Sequence, residues 1–136
     1  MLIVIDTNVI VSALLKPGSV PDLALEAIWE CGRALYDLRM RDEYRGVLAR
    51  PKFAAIGGQR IERFFERLAS NGAGQSDTAR WHGAMKDEDD RIFVEVALAG
   101  RADAIVTGNI ADYPMDLGVE ILPPATLLAQ LKPQHR

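Results

Sequence analysis

Cysteine and histidine are scarce in this sequence, and their scarcity excludes two classes of protein. Among 136 residues only Cys31 is a cysteine, and only His82 and His135 are histidines. One cysteine cannot form an internal disulfide, so we expect a reducing compartment and a small buried side chain at Cys31. Two isolated histidines do not make a zinc-ligand cluster. We therefore expect neither a disulfide-stabilised scaffold nor a zinc protein.

The sequence also lacks the features of a targeting or membrane-spanning segment at its start. No basic residue precedes the first apolar stretch, and Asp6, Asn8 and Ser12 interrupt it. A secretory signal begins with basic residues, and a membrane helix needs about 20 apolar residues. We therefore predict neither a signal peptide nor a membrane span, and a cytoplasmic location.

Composition and length are those of an ordinary soluble domain. Hydrophobic residues make up 49% and charged residues 26% of the chain, which is typical of globular proteins. No internal repeat, low-complexity tract or linker interrupts the sequence, so we predict one domain over residues 1–136.

Positive and negative charges are distributed unevenly along the chain. The net charge is −3, which argues against a protein that coats nucleic acid. Residues 33–67 contain nine Lys and Arg against five Asp and Glu, whereas residues 68–136 contain six against ten. This division suits a metal-dependent enzyme acting on a polyanion, and it equally suits an ordinary solvated surface.

Strand and helix patterns alternate along the chain. Short apolar runs predict strands at 2–5, 34–36, 104–107 and 119–122. Capping residues and apolar periodicity predict helices over about 19–32, 37–49, 61–68, 89–100 and 127–131, with a loop at 70–86. Strands that alternate with helices predict an α/β fold with a mostly parallel, helix-covered sheet.

The first strand ends at an acid. Leu2–Ile5 is an unbroken apolar run, which is typical of a strand buried on both faces, and Asp6 follows it. The carboxyl edge of an open α/β sheet is where such folds bind ligands. A carboxylate there requires a partner, a metal or solvent. Thr7 and Asn8 follow Asp6 directly and are candidate supporting residues.

Two later helices provide further acids for the same edge. Glu43 lies on or beside the apolar stripe of its helix, where it is either a metal ligand or the partner of an arginine from elsewhere. Asp87–Asp90 is an acidic run directly before a helix, and capping explains one or two of its members. Asp90 shares the sheet-facing side of that helix, whereas Asp87 and Asp89 are expected to be peripheral.

A fourth segment follows the strand at 104–107. Thr107 ends this strand as Asp6 ends the first, and it is a third candidate supporting residue because its hydroxyl can hydrogen-bond a carboxylate at the same edge. Asn109 and Asp112 follow it. Asn109 is either a ligand through its amide oxygen or part of a turn. Oxygen ligands from Asp6, Glu43, Asp90, Asn109 and Asp112 favour Mg²⁺ or Mn²⁺ over zinc. Such ions activate water for phosphodiester hydrolysis.

Three segments together resemble the PIN-domain family, in particular its toxins of toxin–antitoxin systems. They are LIVIDTNVIVSALL with Asp6, DEYRGVLARPKF with Glu43, and DEDDRIFVEVALAGRADAIVTGN with Asp90. The resemblance implies a three-layer α/β/α sandwich and a Mg²⁺- or Mn²⁺-dependent ribonuclease. In this interpretation Asp6, Glu43 and Asp90 are catalytic, the substrate is RNA, and a cognate antitoxin protein inhibits the enzyme. A homodimer is compatible with it.

One departure from the family pattern supports a second hypothesis. Many family members have a fourth Asp where this chain has Asn109, which keeps a ligand oxygen but removes a negative charge. The alternative is therefore a PIN-like domain that binds RNA or a protein without cleaving RNA. Two other folds with an acid after the first strand are disfavoured, because Asn8 replaces the general acid of haloacid-dehalogenase-like phosphatases and no lysine closely follows residues 119–122 as receiver domains require.

Overall fold

A five-stranded parallel sheet forms the centre of the molecule. The computed structural model describes residues 1–76 and 79–131, so His135 lies outside the described residues. The strands in chain order are β1 Leu2–Ile5, β2 Arg33–Tyr36, β3 Ala73–Gly74, β4 Ala104–Val106 and β5 Glu120–Leu122. They lie in the order β3-β2-β1-β4-β5 and every neighbouring pair is parallel. The central position of β1 explains its unbroken apolar sequence.

Helices connect and flank these strands, which confirms the predicted α/β fold with a parallel central sheet. The α-helices of the described residues are α1 Thr7–Leu15, α2 Val20–Cys31, α3 Leu38–Leu48, α4 Gly58–Asn71, α5 Arg91–Ala99 and α6 Pro124–Leu131. Short 3₁₀ helices occupy Pro51–Ile56, Glu88–Asp90 and Ile110–Asp112. Within the two described ranges, none of the helices has both the length and the apolar character needed to cross a membrane.

Polar side chains cap three of the helices, and the sequence predicts two of these helix starts, at Ser19 and Asp37. Ser19 caps α2 by accepting a hydrogen bond from the N–H of Asp22 at 3.4 Å. Asp37 caps α3 by accepting one from the N–H of Met40 at 2.9 Å. Asp6 caps α1 through the N–H of Asn8. Each cap satisfies a backbone donor that the first helical turn leaves free.

Four details differ from the sequence prediction. The predicted loop at 70–86 contains β3, which has only two residues and therefore shows no alternating pattern. The helix expected from about residue 89 begins at Arg91, because Glu88–Asp90 forms a 3₁₀ turn. Helix α1 follows Asp6 directly, although no helix was predicted there. Cys31 is exposed and not buried, since it is the last residue of α2.

The strand order creates a crevice at the carboxyl edge of the sheet. From β1 the chain continues to β2 and β3 on one side, and β4 and β5 complete the sheet on the other. The order therefore changes direction between β1 and β4, which is where open α/β sheets bind their ligands. The N–H of Asp6 donates to the Val106 carbonyl at 3.0 Å, so the residues that follow β1 and β4 are neighbours.

Candidate active site

Six carboxylates line one cavity of about 380 Å³ at this edge of the sheet. They belong to Asp6, Glu43, Asp87, Asp89, Asp90 and Asp112. Thr7, Asn8, Ser12, Asn109, Arg50 and Phe53 also line the cavity. The fold thus brings the predicted residues of four separate segments together around one space. Thr107, the remaining predicted supporting residue, contacts the cavity through Asp6.

Asp6 is buried at the base of this group and has one oxygen fully engaged. Its Oδ2 accepts hydrogen bonds from the Thr107 hydroxyl at 2.8 Å and the Tyr113 hydroxyl at 2.9 Å. Among residues 1–76 and 79–131, its Oδ1 accepts only a long bond of 3.3 Å, from the N–H of Asn8. Burial raises the pKa of Asp6, and the two hydroxyls oppose that rise. The carboxylate is therefore fixed through Oδ2, while Oδ1 retains capacity for a ligand.

Asn8 and Thr107 connect the ends of β1 and β4. Asn8 Oδ1 accepts a hydrogen bond from the N–H of Gly108 at 3.0 Å, and its amide donates to Thr107 Oγ1 at 3.5 Å. The N–H of Asn109 also donates to Thr107 Oγ1, at 3.1 Å. These bonds fix the turn that places Asn109 on the cavity wall.

Glu43 and Asp90 are half-buried and face the cavity from α3 and the start of α5. Burial and the neighbouring carboxylates, beginning with Asp6, raise the pKa of Asp90 to about 7. Burial and the charge of Asp89 raise the pKa of Glu43, against a lowering influence from Arg50. Carboxylates that repel one another in this way gain stability from a proton or a cation.

Asp87 and Asp89 also lie on the cavity wall, and both are exposed. Asp87 Oδ1 accepts a hydrogen bond from the N–H of Asp89 at 3.0 Å and thereby caps the 3₁₀ turn. Capping therefore accounts for Asp87, as expected for one member of an acidic run. The charges of both residues still contribute to the raised pKa of Asp90.

The oxygen atoms that line the cavity suit a divalent cation that keeps part of its water shell better than a cation bound by protein ligands alone. In the described parts of the chain no group of three or more His, Cys, Asp or Glu side chains is placed so that it could hold a metal ion. Mg²⁺ keeps several water ligands and needs only one or two carboxylates. Thr7 Oγ1, beside Asp6 on the cavity wall, is buried without a hydrogen-bond partner among the described residues. A bound ion with its water would satisfy this hydroxyl.

The sequence alone does not predict a role for two residues of the site, Tyr113 and Arg50. Tyr113 follows Asp112 and bonds Asp6 across 107 positions of sequence, a contact that only the fold creates. Arg50 lies seven residues after Glu43, beyond the end of α3, and lines the same cavity. The only available signal is their closeness in sequence to predicted ligands.

Comparison with known proteins assigns the chain to a family. The family model described as the PIN domain matches residues 2–111, which include five of the six cavity acids and exclude Asp112. No curated protein and no solved structure matches the chain. PIN domains are generally metal-dependent nucleases. Because the match extends over most of its length, this chain belongs to the PIN-domain family.

Proposed function

We propose that this protein is a Mg²⁺- or Mn²⁺-dependent ribonuclease that hydrolyses RNA phosphodiester bonds. The observation that carries the proposal is the cluster of six carboxylates around one cavity at the β1/β4 edge, in a chain of the PIN-domain family. Burial and mutual repulsion raise the pKa of three of these acids, so the cavity favours a cation. We further propose that residues 1–136 form one domain that acts in the cytoplasm.

Each residue contributes a defined part of the proposed chemistry. Asp6, Glu43 and Asp90 would hold the cation, directly or through its water ligands, with Asn109 and Asp112 as a fourth side of the cavity. A divalent ion held there supplies an activated water and stabilises the charge that develops on the phosphoryl group. The hydrogen bonds from Thr107 and Tyr113 orient Asp6, so the ligand geometry is set before the substrate binds.

Neutral replacements of the central acids test this proposal. We expect Asp6→Asn and Asp90→Asn each to reduce Mn²⁺-dependent cleavage of a mixed RNA pool by at least about 100-fold, since each removes a ligand charge but little volume. Asp42→Asn is the matched control, because Asp42 is exposed, precedes Glu43 and does not line the cavity. Circular dichroism should show that all three variants remain folded. Full activity in Asp90→Asn would refute the proposed site.

A binding module without catalysis is the second candidate, and Asn109 supports it. An amide at this position provides an oxygen but not the charge of a carboxylate, which weakens attraction for a cation. The two candidates differ in one measurement on the wild-type protein. RNA binding without cleavage at any Mg²⁺ or Mn²⁺ concentration would establish the binding module and reject the nuclease.

We also propose that the protein is the toxin of a toxin–antitoxin pair and that an antitoxin protein inhibits it. The support is the resemblance of the three acid-bearing segments to toxins of this family. A short reading frame beside the gene, encoding a protein with a DNA-binding N-terminus, would agree with this role. Growth arrest on expression, relieved by the neighbouring protein and absent for Asp6→Asn, would establish it; no arrest would contradict it.

A further inference from the structure

Arg50 is a basic residue in a cavity that is otherwise lined by acids and neutral side chains. Its side chain is exposed, and within residues 1–76 and 79–131 it makes no hydrogen bond or ion pair. Four other arginines of the described chain are paired with acids, at Arg39, Arg45, Arg67 and Arg91. The Arg50 guanidinium therefore keeps its five donors available beside the proposed cleavage site.

The backbone around Arg50 is held in place on both sides. The N–H of Arg50 donates to the Val47 carbonyl at 3.1 Å, and its own carbonyl accepts from the N–H of Phe53 at 2.9 Å. Pro51 begins the 3₁₀ helix Pro51–Ile56, which packs against α1. Phe53 is partly buried against the core and lines the same cavity. The guanidinium thus extends from a fixed base, which lowers the entropic cost of binding a ligand.

Charge compensation is the simplest alternative role for Arg50. Its positive charge does lower the pKa of Glu43, but the two side chains lie beyond the 4.0 Å of an ion pair. This long-range attraction leaves the guanidinium N–H donors without a hydrogen-bond partner among the described residues. An unpaired guanidinium beside a cation site is better suited to a ligand that carries several phosphates, of which the cation engages one.

We propose that Arg50 binds an RNA phosphate next to the phosphate that is cleaved. This inference rests on the proposed ribonuclease function and adds the residue that positions the substrate. The guanidinium fork would bind two phosphate oxygens, and the carboxylates opposite would hold the cation on the neighbouring phosphate. Arg50 is thereby a substrate-binding residue that is distinct from the metal ligands.

The test separates RNA binding from metal binding. A fluorescein-labelled single-stranded RNA is titrated with protein in the presence of Ca²⁺, and the dissociation constant is measured at several salt concentrations. A gel shows whether the RNA stays intact during the titration. We expect Arg50→Ala to weaken binding about 10-fold and to reduce the slope of log Kd against log salt by about 0.7, the value for one lost phosphate contact to a single strand. Arg50→Lys should restore the slope and only part of the affinity. Arg101→Ala is the matched control, because Arg101 is exposed and precedes β4 at the amino edge of the sheet, away from the cavity.

Mn²⁺ binding without RNA supplies the second measurement. Removing a positive charge from an acidic cavity should leave the Mn²⁺ affinity unchanged or increase it. Weaker Mn²⁺ binding in Arg50→Ala would show a role in the metal site and overturn the inference. Equal RNA binding and salt slope in Arg50→Ala and Arg101→Ala, with cleavage by the wild-type protein intact, would overturn the inference alone. A wild-type protein that neither binds nor cleaves RNA would overturn the proposed function with it.

Discussion

At the scale of single residues, the notable feature is the unequal use of the two oxygens of Asp6. The hydroxyls of Thr107 and Tyr113 both donate to Oδ2, whereas Oδ1 accepts one long hydrogen bond from the part of the chain that the structure describes. A carboxylate that accepts two hydroxyl hydrogen bonds on one oxygen cannot rotate without breaking both. The hydrogen bonds from these two hydroxyls therefore determine which oxygen of Asp6 remains available to bind a cation.

Removing the Tyr113 hydroxyl should make metal binding more sensitive to acid. Burial raises the pKa of Asp6 and the Tyr113 hydroxyl opposes this rise, so in Tyr113→Phe the pKa of Asp6 should be higher still. The ion then competes with a proton for Asp6, and this competition becomes stronger as the pH falls. We expect the Mn²⁺ dissociation constant of Tyr113→Phe to rise about 5-fold at pH 6 and by less than about 2-fold at pH 8.5, measured by isothermal titration calorimetry.

The matched control for this change is Tyr36→Phe, which removes a hydroxyl from a partly buried tyrosine of β2. Its Mn²⁺ affinity should equal that of the wild type at both pH values. An equal loss of affinity at pH 6 and pH 8.5 in Tyr113→Phe would indicate displaced ligands and contradict the predicted shift in the pKa of Asp6.

The sequence predicts the position of the central acids and names Thr107 as a neighbour of Asp6, but it does not predict the contact from Tyr113. Asp6 could be placed because it ends an apolar run, and Asp90 because it precedes an amphipathic helix. The bond from Tyr113 to Asp6 spans 107 positions and depends on the path of the chain after β4. Local pattern contains no information about such contacts, so they required the structure.

At the scale of elements, the segment 81–91 is docked to the core by two charged side chains. Glu95, buried in α5, accepts hydrogen bonds from Arg39 at 2.9 Å and from the N–H of Trp81 at 3.0 Å. Arg91 donates to the carbonyls of Trp81 and Gly83 at 2.9 and 2.8 Å. This segment ends in the turn that places Asp87, Asp89 and Asp90 on the cavity wall.

Replacing Glu95 should detach the segment 81–91 from the core under conditions in which the rest of the protein is still folded. Burial would raise the pKa of Glu95, but the Trp81 N–H and Arg39 together hold it below its ordinary value of 4.5. The group therefore stabilises the fold above pH 4.5, and this contribution is lost as the pH falls through its lowered pKa. We expect Glu95→Ala to lower the free energy of unfolding by about 2–3 kcal/mol. Trypsin should cleave after Arg80 and Lys86, both exposed, several-fold faster than in the wild type.

Glu62→Ala is the control for this prediction. It removes the ion pair between Glu62 and Arg45, whose side chains are 59% and 51% exposed, and an exposed pair contributes at most about 1 kcal/mol. Equal tryptic rates at Arg80 in the two variants would show that Glu95 does not hold the segment.

At the scale of the whole molecule, the fold class and the parallel sheet were predictable, whereas the strand order and the edge strand β3 were not. Apolar runs predict four of the five strands, and the alternation of strands with helices predicts that they pair in parallel. β3 is visible only through its pairing of Leu35 with Ala73 and Tyr36 with Gly74. Propensity over two residues is too weak to predict a strand that tertiary pairing creates.

The cavity also links the stability of the whole molecule to pH and metal. The pKa of Asp90 is about 7 in the folded protein, above its ordinary value of 3.8. The metal-free folded state therefore holds more protons than the unfolded state between these values, and its stability falls as the pH rises from about 4 to about 7. A divalent cation replaces the lost proton, so it should stabilise the protein more at pH 8 than at pH 5.5.

Thermal unfolding of the wild type and Asp90→Asn with and without Mg²⁺ tests this linkage. At pH 8 without metal, Asp90→Asn should be more stable than the wild type by about 1 kcal/mol after solvent screening, or about 3–5 °C in Tm. At pH 5.5 the difference should be about half as large, because this pH lies near the middle of the range from 3.8 to about 7 over which the wild type loses stability. Mg²⁺ should raise the Tm of the wild type and of Asp42→Asn at pH 8, but have little effect on Asp90→Asn. An Mg²⁺ effect of equal size in Asp90→Asn would show that the cation binds elsewhere, because the charge it compensates would then not be that of Asp90.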